Sequence, residues 1–215
     1  MNLKLFATIY FIISLLVIFF GTIDYNMGVY LTKPLIMISI MVFYFLQTQN
    51  RQNFQDKLML IAFFFSLLGD TFLMIKSEKF FMFGLGSFLI THLFYIFIFS
   101  RNRLKNNVLI RIAFLIFSGI MLLILKDNVN KSLLIPIIIY MITITIMAIS
   151  ASERKTNPDS YRLILLGAIV FVLSDTLIAI DKFVVPVPFQ TFLIMGTYVL
   201  AQYLICVGFL KRNIN

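Results

Sequence analysis

The chain has 215 residues, of which 61% are apolar and 13% charged, and its 18 Lys and Arg against nine Asp and Glu give a net charge of +9. A soluble domain averages about 45 to 50% apolar and about 25% charged residues, so this composition excludes intrinsic disorder and an ordinary water-soluble globule. The positive charge does not indicate a nucleic-acid partner, because the basic residues lie in short gaps between long apolar runs.

Eight apolar runs follow one another along the chain. A helix needs roughly 20 mostly apolar residues to cross about 30 Å of hydrocarbon. In chain order the runs predict helices at about 4–21, 30–47, 58–75, 80–99, 108–125, 132–150, 161–180 and 189–210. We place Pro34 in the first turn of the second helix, where its missing N–H is tolerated. The gaps are too short for a soluble domain, so the sequence predicts one all-α integral membrane domain, a bundle of eight transmembrane helices.

The distribution of Lys and Arg predicts the orientation of this bundle. The amino-terminal side carries twelve basic residues: Lys4, Arg51, Lys57, Arg101, Arg103, Lys105, Arg111, Arg154, Lys155, Arg162, Lys211 and Arg212. The opposite side carries six: Lys33, Lys76, Lys79, Lys126, Lys131 and Lys182. This excess places both termini in the cytoplasm, and the basic loops would also attract anionic lipid head groups. We therefore expect a multi-pass membrane protein, in the inner membrane if the source is bacterial.

Three residues, Asp70, His92 and Asp175, place a carboxyl or imidazole group well inside a predicted span, away from its ends. A centrally placed Asp costs about 2.5 to 3.5 kcal/mol on insertion scales, so such a residue is a functional hypothesis by default. Lys33 and Lys182 stand at the outer ends of their helices and can extend to the interface. The single histidine excludes a multi-histidine metal site, and the single cysteine, Cys206, excludes an internal disulfide.

The two aspartates are predicted to lie at one depth. Asp70 follows Lys57 by 13 residues and Asp175 follows Arg162 by 13 residues, which places both carboxyls roughly 20 Å from the cytoplasmic boundary. His92 enters from the other direction and lies about 13 Å from that boundary. Two carboxyls at one buried level repel each other, so their retention favours a function.

A local self-similarity accompanies the matching depth. GDTFLMIK at 69–76 aligns with SDTLIAID at 174–181, and SFLI at 87–90 aligns with TFLI at 191–194, at offsets of 105 and 104 residues. A four-helix offset preserves direction through the membrane. These matches indicate a parallel duplication of two four-helix halves, in which Asp70 and Asp175 are equivalent positions.

Helical spacing groups further polar residues with the ionisable ones. Residues three or four apart share one helix face, as do Ser66 and Asp70, His92 and Tyr95, and Tyr198 and Gln202. For a lone Ser, Tyr or Gln the alternative role is an interhelical hydrogen bond. The small residues Gly167 and Ala168 precede Asp175 on its helix and predict close approach by a neighbouring helix.

The runs TKPLIM, FFFSLLGDTFLM, FGLGSFLITHLFYIF and GAIVFVLSDTLIAIDKFVVPVPFQTFLIMGTYVLAQYLI resemble the YhhN family of membrane lysoplasmalogenases. The similarity extends from Lys33 to Gly208 and includes Tyr140. Its most specific feature is the ordered set K-P-L, G-D, H-x-x-Y, S-D and A-Q-Y. The resemblance implies hydrolysis of the vinyl ether bond of a lysoplasmalogen, a lysophospholipid, with release of a fatty aldehyde and a glycerophospho head group. We predict no cofactor and assign no metal ligand, while the sequence leaves open whether a metal joins the carboxyls.

The residues suit this chemistry. Vinyl ether cleavage begins with protonation of the β carbon, which requires a carboxylic acid that stays neutral near pH 7, and a second carboxylate stabilises the oxocarbenium ion. We predict Asp70 and Asp175 as this pair, without deciding which is the acid, and His92 as the group that orients or deprotonates water, through Tyr95 or Tyr198. Lys33, with Lys182 as second choice, would hold the phosphate. The remaining predicted substrate-binding residues are Ser66, Tyr140, Ser174 and Gln202.

Other functions stay open on the sequence. Eight helices, a repeat and buried carboxyls also suit a proton-coupled transporter of a small molecule or lipid. An intramembrane aspartyl protease shares the paired aspartates, but Leu67 stands where a G-x-G-D motif needs its first glycine, and no P-A-L motif is present. A purely structural membrane protein is the last alternative.

Overall fold

The computed structural model describes residues 2–50, 53–101 and 106–212, and this part of the chain is all-α. Three residues that entered the predicted charge distribution, Arg51, Arg103 and Lys105, lie outside the described residues. The eight helices are α1 (Leu3–Thr22), α2 (Asn26–Thr48), α3 (Phe54–Leu73), α4 (Glu78–Ser100), α5 (Val108–Leu125), α6 (Lys131–Ser152), α7 (Pro158–Phe183) and α8 (Gln190–Leu210). Each corresponds to one predicted run, so the predicted helix order is confirmed.

Helix α2 begins earlier than predicted. It starts at Asn26, so Pro34 lies in the helix interior, and the prediction that this proline occupies the first turn is wrong. An interior proline removes one backbone hydrogen bond, a loss that helices in lipid tolerate when nearby side chains compensate. The hydroxyl of Thr32 donates to the carbonyl of Gly28 at 2.6 Å, which adds a hydrogen bond in the turn before the proline.

Seven of the eight described helices are long and apolar enough to cross a membrane, and the chain is a multi-pass membrane protein. Helix α3 is not among the seven, because its 20 residues include three charged side chains, Asp56, Lys57 and Asp70. Its first turn is capped by Asn53, whose side chain accepts from the backbone N–H of Gln55. A role for α3 as the eighth span therefore stays a prediction.

The chain divides into two compact units, and the first comprises Met1–Ile98. Aromatic side chains join its successive helices. The rings of Phe6 on α1 and Phe43 on α2 stack at 3.9 Å, and the ring of Tyr44 on α2 meets Phe63 on α3 edge to face at 5.5 Å. A Cβ at Gly69 on α3 would lie 2.6 Å from the Phe88 ring, so the absence of a side chain there lets α4 pack closely.

The second unit comprises Phe99–Asn215, and within it α7 and α8 pack closely against each other. A Cβ at Gly167 would lie 3.1 Å from the carbonyl oxygen of Ala201 and 2.8 Å from a side-chain carbon of Ile205. On α8, a Cβ at Gly208 would lie 2.8 Å from the side chain of Ile164. The close approach predicted at Gly167 is therefore confirmed. The boundary between the units matches the predicted four-helix halves, while their origin by duplication stays a prediction.

Candidate active site

Asp70 lies in the last turn of α3 and is buried, with Lys33 of α2 as an ionic partner. The Lys33 Nζ atom is 3.8 Å from Asp70 Oδ1, and the two side chains are 14% and 3% exposed. The C-terminal end of a helix carries partial negative charge, which disfavours a carboxylate there. The ammonium of Lys33 offsets this effect. The side chain predicted to extend toward a lipid phosphate is thus turned toward Asp70.

Ser66, one turn before Asp70, connects α3 to α4. Its hydroxyl donates to Thr91 Oγ1 at 3.2 Å, and the Thr91 hydroxyl lies within hydrogen-bond distance of the carbonyls of Ala62 and Ser87. Ser66 and Thr91 are fully buried. The interhelical hydrogen bond weighed as the alternative for Ser66 is therefore present, and it holds the turn that carries Asp70 against α4.

His92 and Tyr95 lie together on α4, both fully buried. Their ring centroids are 6.4 Å apart and the rings are tilted by 56°. The predicted spacing of three residues thus places the imidazole beside the phenol ring. Since Thr91 precedes His92 directly, the contact between α3 and α4 described above also fixes the position of this imidazole along the helix.

Asp175 is half-buried in α7 and accepts a hydrogen bond from α6. The donor is the Tyr140 hydroxyl, 2.5 Å from Asp175 Oδ2, and Tyr140 itself is buried. Tyr140 was predicted as a substrate-binding residue from the resemblance alone, and the structure places its hydroxyl on the predicted catalytic carboxyl. In the contacts of Lys33 with Asp70 and of Tyr140 with Asp175, a predicted catalytic carboxyl meets another predicted site residue.

The predicted polar residues of α8 and the end of α7 also contact each other. The Ser174 hydroxyl donates to the carbonyl of Ile194 at 3.2 Å, which ties α7 to α8. Gln202 Nε2 donates to the hydroxyl of Tyr198 at 3.4 Å, and the Tyr198 ring packs edge to face on Phe171. These side chains are buried, so they form part of the interior of the second unit.

Lys182 differs from the other predicted residues because it is exposed. Its Nζ atom lies 5.8 Å from the centroid of the neighbouring Phe183 ring. The carboxylate of the preceding residue, Asp181, accepts from the backbone N–H of Val187 at 2.9 Å, which shapes the connection to α8. Lys182 therefore presents its charge at the end of α7, as its position in the sequence predicted.

Sequence reasoning did not single out the buried carboxyl of Asp56. This residue is 4% exposed, and the hydroxyl of Tyr44 on α2 donates to its Oδ1 atom. In the sequence, Asp56 lies beside Lys57 in the polar stretch between the second and third apolar runs. The signal available was its position in the first turn after a capping asparagine. The contact with Tyr44 joins positions twelve residues apart across two helices, which spacing alone does not indicate.

Within residues 2–50, 53–101 and 106–212, no group of three His, Cys, Asp or Glu side chains is placed to hold a metal ion. The predicted catalytic residues and their partners supply carboxyl, imidazole and phenol groups.

Comparison with known proteins identifies a family and several relatives to which this chain is similar. The YhhN family model matches residues 28–209. The lysoplasmalogenase TMEM86A of Bos taurus is 31% identical over 153 residues, which cover 67% of this chain and 61% of that protein. The TMEM86A lysoplasmalogenase of Homo sapiens is 33% identical over 150 residues with the same coverage, and the TMEM86B lysoplasmalogenase of Rattus norvegicus is 29% identical over 148 residues, covering 68% of this chain and 58% of that protein.

The chain spans about three fifths of the length of the relatives it matches. No solved structure matches it. The family match, however, covers most of the 215 residues and contains Lys33, Asp70, His92, Tyr140 and Asp175. The resemblance predicted from the motifs is therefore confirmed, and this chain belongs to the YhhN family.

Proposed function

We propose that this protein is a hydrolase that cleaves the vinyl ether bond of lysoplasmalogens inside the membrane. The observation that carries the proposal is the placement of two aspartates within apolar helices, each in contact with a polar side chain from a neighbouring helix: Lys33 at Asp70 and Tyr140 at Asp175. Placing a carboxyl at such a position costs free energy, so its presence favours a functional role. The named activity of the TMEM86A and TMEM86B relatives supports the same reaction.

The contacts suggest which carboxyl has which role. An ammonium 3.8 Å away favours the ionised form of a carboxyl, so we assign Asp70 as the carboxylate that stabilises the cation. Asp175 accepts a hydrogen bond from the Tyr140 hydroxyl, which can hold this carboxyl in one orientation for proton transfer. With Asp70 as the carboxylate, we assign Asp175 as the acid and Tyr140 as a positioning residue.

The reaction then proceeds in three steps. Asp175 transfers its proton to the β carbon of the vinyl ether, whose π electrons form the new C–H bond and leave an oxocarbenium ion, for which we propose the Asp70 carboxylate as the stabilising charge. Water adds to the cationic carbon and gives up a proton to His92. This addition forms a hemiacetal. As the bond to the glycerol oxygen breaks, that oxygen takes the proton held by His92, and the hemiacetal hydroxyl gives its proton to the Asp175 carboxylate. One water is consumed, an aldehyde and an alcohol are released, and both residues return to their starting protonation states.

Other residues would hold the substrate. Because Lys33 contacts Asp70, we assign the substrate phosphate to Lys182, whose ammonium is exposed at the end of α7. Tyr95 would orient His92 through the ring contact, and Ser66, Ser174, Tyr198 and Gln202 stay proposed substrate-binding residues.

We further propose that both termini are cytoplasmic and that a bacterial host would carry the protein in its inner membrane. An impermeant thiol reagent applied to intact cells should then label Asp127→Cys and spare Lys155→Cys.

A panel of lysolipids tests the activity. The purified full-length protein in detergent is incubated with lysolipids that share a head group and differ only in a vinyl ether, alkyl ether or ester linkage. Aldehyde release from the vinyl ether alone is the expected result, because only that linkage forms an oxocarbenium ion on protonation at carbon. Hydrolysis of the ester, or lipid movement that requires sealed vesicles without product formation, would contradict the proposal.

Single substitutions test the two carboxyls. Asp70→Asn and Asp175→Asn should each reduce aldehyde release by about a hundredfold or more, since each removes a charge or proton that acts in the transition state. Asp127→Asn is the matched control, because Asp127 is exposed and receives the same chemical change. Substantial turnover in both single variants would refute the assignment.

A further inference from the structure

Arg154, in the connection between α6 and α7, carries a buried guanidinium group. The residue is 2% exposed, and its Nη1 atom has no hydrogen-bond partner. Its Cζ atom lies 5.3 Å from the ring centroid of Phe99 and 5.7 Å from that of Phe209. Contacts with two aromatic faces are weak compared with the hydration that a buried charge loses, so they do not replace it.

A second guanidinium lies on the same ring. Arg212 is 7% exposed, its Cζ atom is 3.9 Å from the Phe209 ring centroid, and its Nη1 atom donates to the carbonyl of Phe209. Burial, together with the charge of Arg212, lowers the pKa of Arg154 to about 10, so Arg154 remains charged at neutral pH. Two positive groups are thus buried around one phenylalanine, and the charge of each raises the free-energy cost of burying the other.

The described acidic residues closest in sequence to Arg154 have other partners. Glu153 accepts from Arg111, whose Nε atom is 3.0 Å away, and the exposed carboxylate of Asp159 lies 3.7 Å from the ammonium of Lys211. At the same end of the unit, the buried hydroxyl of Ser160 in the first turn of α7 also has no hydrogen-bond partner. Two buried polar atoms at this end of the second unit, Arg154 Nη1 and Ser160 Oγ, therefore lack a hydrogen-bond partner.

We propose that Arg154 and Arg212 form a binding site for a phosphate-bearing anion at the amino-terminal end of α7. A guanidinium group matches two phosphate oxygens at once, and this makes arginine the preferred residue for such anions. Anionic lipid head groups are abundant at the membrane face where the charge distribution predicts this end to lie, and free phosphate has the same chemistry. Asp175 lies 17 residues into α7, about 26 Å from its first residue, so this site is separate from the proposed reaction centre.

Thermal unfolding of the full chain in a neutral detergent tests the site. Inorganic phosphate is titrated against sodium chloride at equal ionic strength, and in a second arm phosphatidic acid is titrated against phosphatidylcholine in mixed micelles. The wild-type protein should gain thermal stability with phosphate, with phosphatidic acid or with both. Arg154→Met should bind about tenfold more weakly or worse, since a charge-assisted hydrogen bond contributes at least that factor.

The basal stability of the variant keeps the test independent of folding. Without added anion, Arg154→Met should unfold at or above the wild-type temperature, because an apolar side chain of similar length replaces a buried charge. Arg162→Met is the matched control, since Arg162 is exposed near the start of the same helix, and it should respond as the wild type does. Arg212→Met gives a second variant that should weaken the response.

Each outcome decides the question. A response to both ligands means that the site binds the phosphate group itself, a response to phosphatidic acid alone identifies a lipid, and a response to inorganic phosphate alone identifies a soluble anion. The absence of any wild-type response beyond the chloride and phosphatidylcholine references would overturn the proposal. A response of Arg154→Met equal to that of the wild type would overturn it as well.

Discussion

Replacing Lys33 by Met removes the ammonium that lies 3.8 Å from Asp70 Oδ1 while keeping a side chain of similar length. Two unit charges at this distance attract by about 4 kcal/mol at an effective dielectric constant of about 20. Desolvation of the two groups offsets roughly half of this, which leaves about 2 kcal/mol for holding Asp70 as a carboxylate. If Asp70 stabilises the oxocarbenium ion, that energy corresponds to about a thirtyfold fall in kcat.

The assay is aldehyde release from a vinyl ether lysophospholipid, with kcat and KM measured separately on purified protein. We expect Lys33→Met to lower kcat by about thirtyfold and to change KM by less than about twofold, which is the pattern of an interaction made in the transition state. Lys33→Arg should recover most of the rate, because it restores the positive charge. Lys76→Met is the matched control, since Lys76 belongs to the same predicted membrane face and is exposed.

The opposite kinetic pattern would refute this reasoning. If Lys33→Met raises KM and leaves kcat unchanged, Lys33 binds the phosphate as the sequence first predicted, and its contact with Asp70 has no role in the chemistry. A loss of protein in the membrane fraction would be detected by comparing expression and thermal unfolding with Lys76→Met. If Lys33→Met is lost from the membrane, the KM of Lys33→Arg, which keeps the ion pair, still distinguishes phosphate binding by Lys33 from its effect on Asp70.

Two further predictions follow from the helix contacts of the second unit. Tyr140→Phe removes the hydroxyl that donates to Asp175 at 2.5 Å. It should lower kcat by about tenfold and leave the free energy of unfolding within about 1.5 kcal/mol of the wild type. An unchanged kcat would show that Tyr140 has no role in the reaction. Gly167→Ala places a Cβ 2.8 Å from the side chain of Ile205 and should destabilise the protein by about 1 to 3 kcal/mol in thermal unfolding. The control Gly119→Ala, whose Cβ would have no atom within 4 Å, should be neutral or stabilising. Equal unfolding temperatures for the two variants would contradict the close packing of α7 and α8.

The sequence by itself determined the helices. In a membrane each backbone N–H and C=O must be satisfied within its own segment, so an apolar run of about 20 residues has little alternative to a helix. The same rule made Asp70, His92 and Asp175 conspicuous, because polar side chains are rare in such runs. The position of Pro34 escaped prediction, since helix starts depend on how far a chain extends beyond its most apolar stretch and on compensating hydrogen bonds such as that of Thr32.

The tertiary structure decided which side chain meets which. Lys33 and Asp70 are 37 residues apart in the sequence, and Tyr140 and Asp175 are 35 apart, so helix periodicity carries no information about either contact. The same holds for Tyr44 with Asp56, and for the two arginines that share the ring of Phe209. A residue's depth follows from counting along its own helix, whereas its partner depends on how neighbouring helices rotate and slide as their side chains pack.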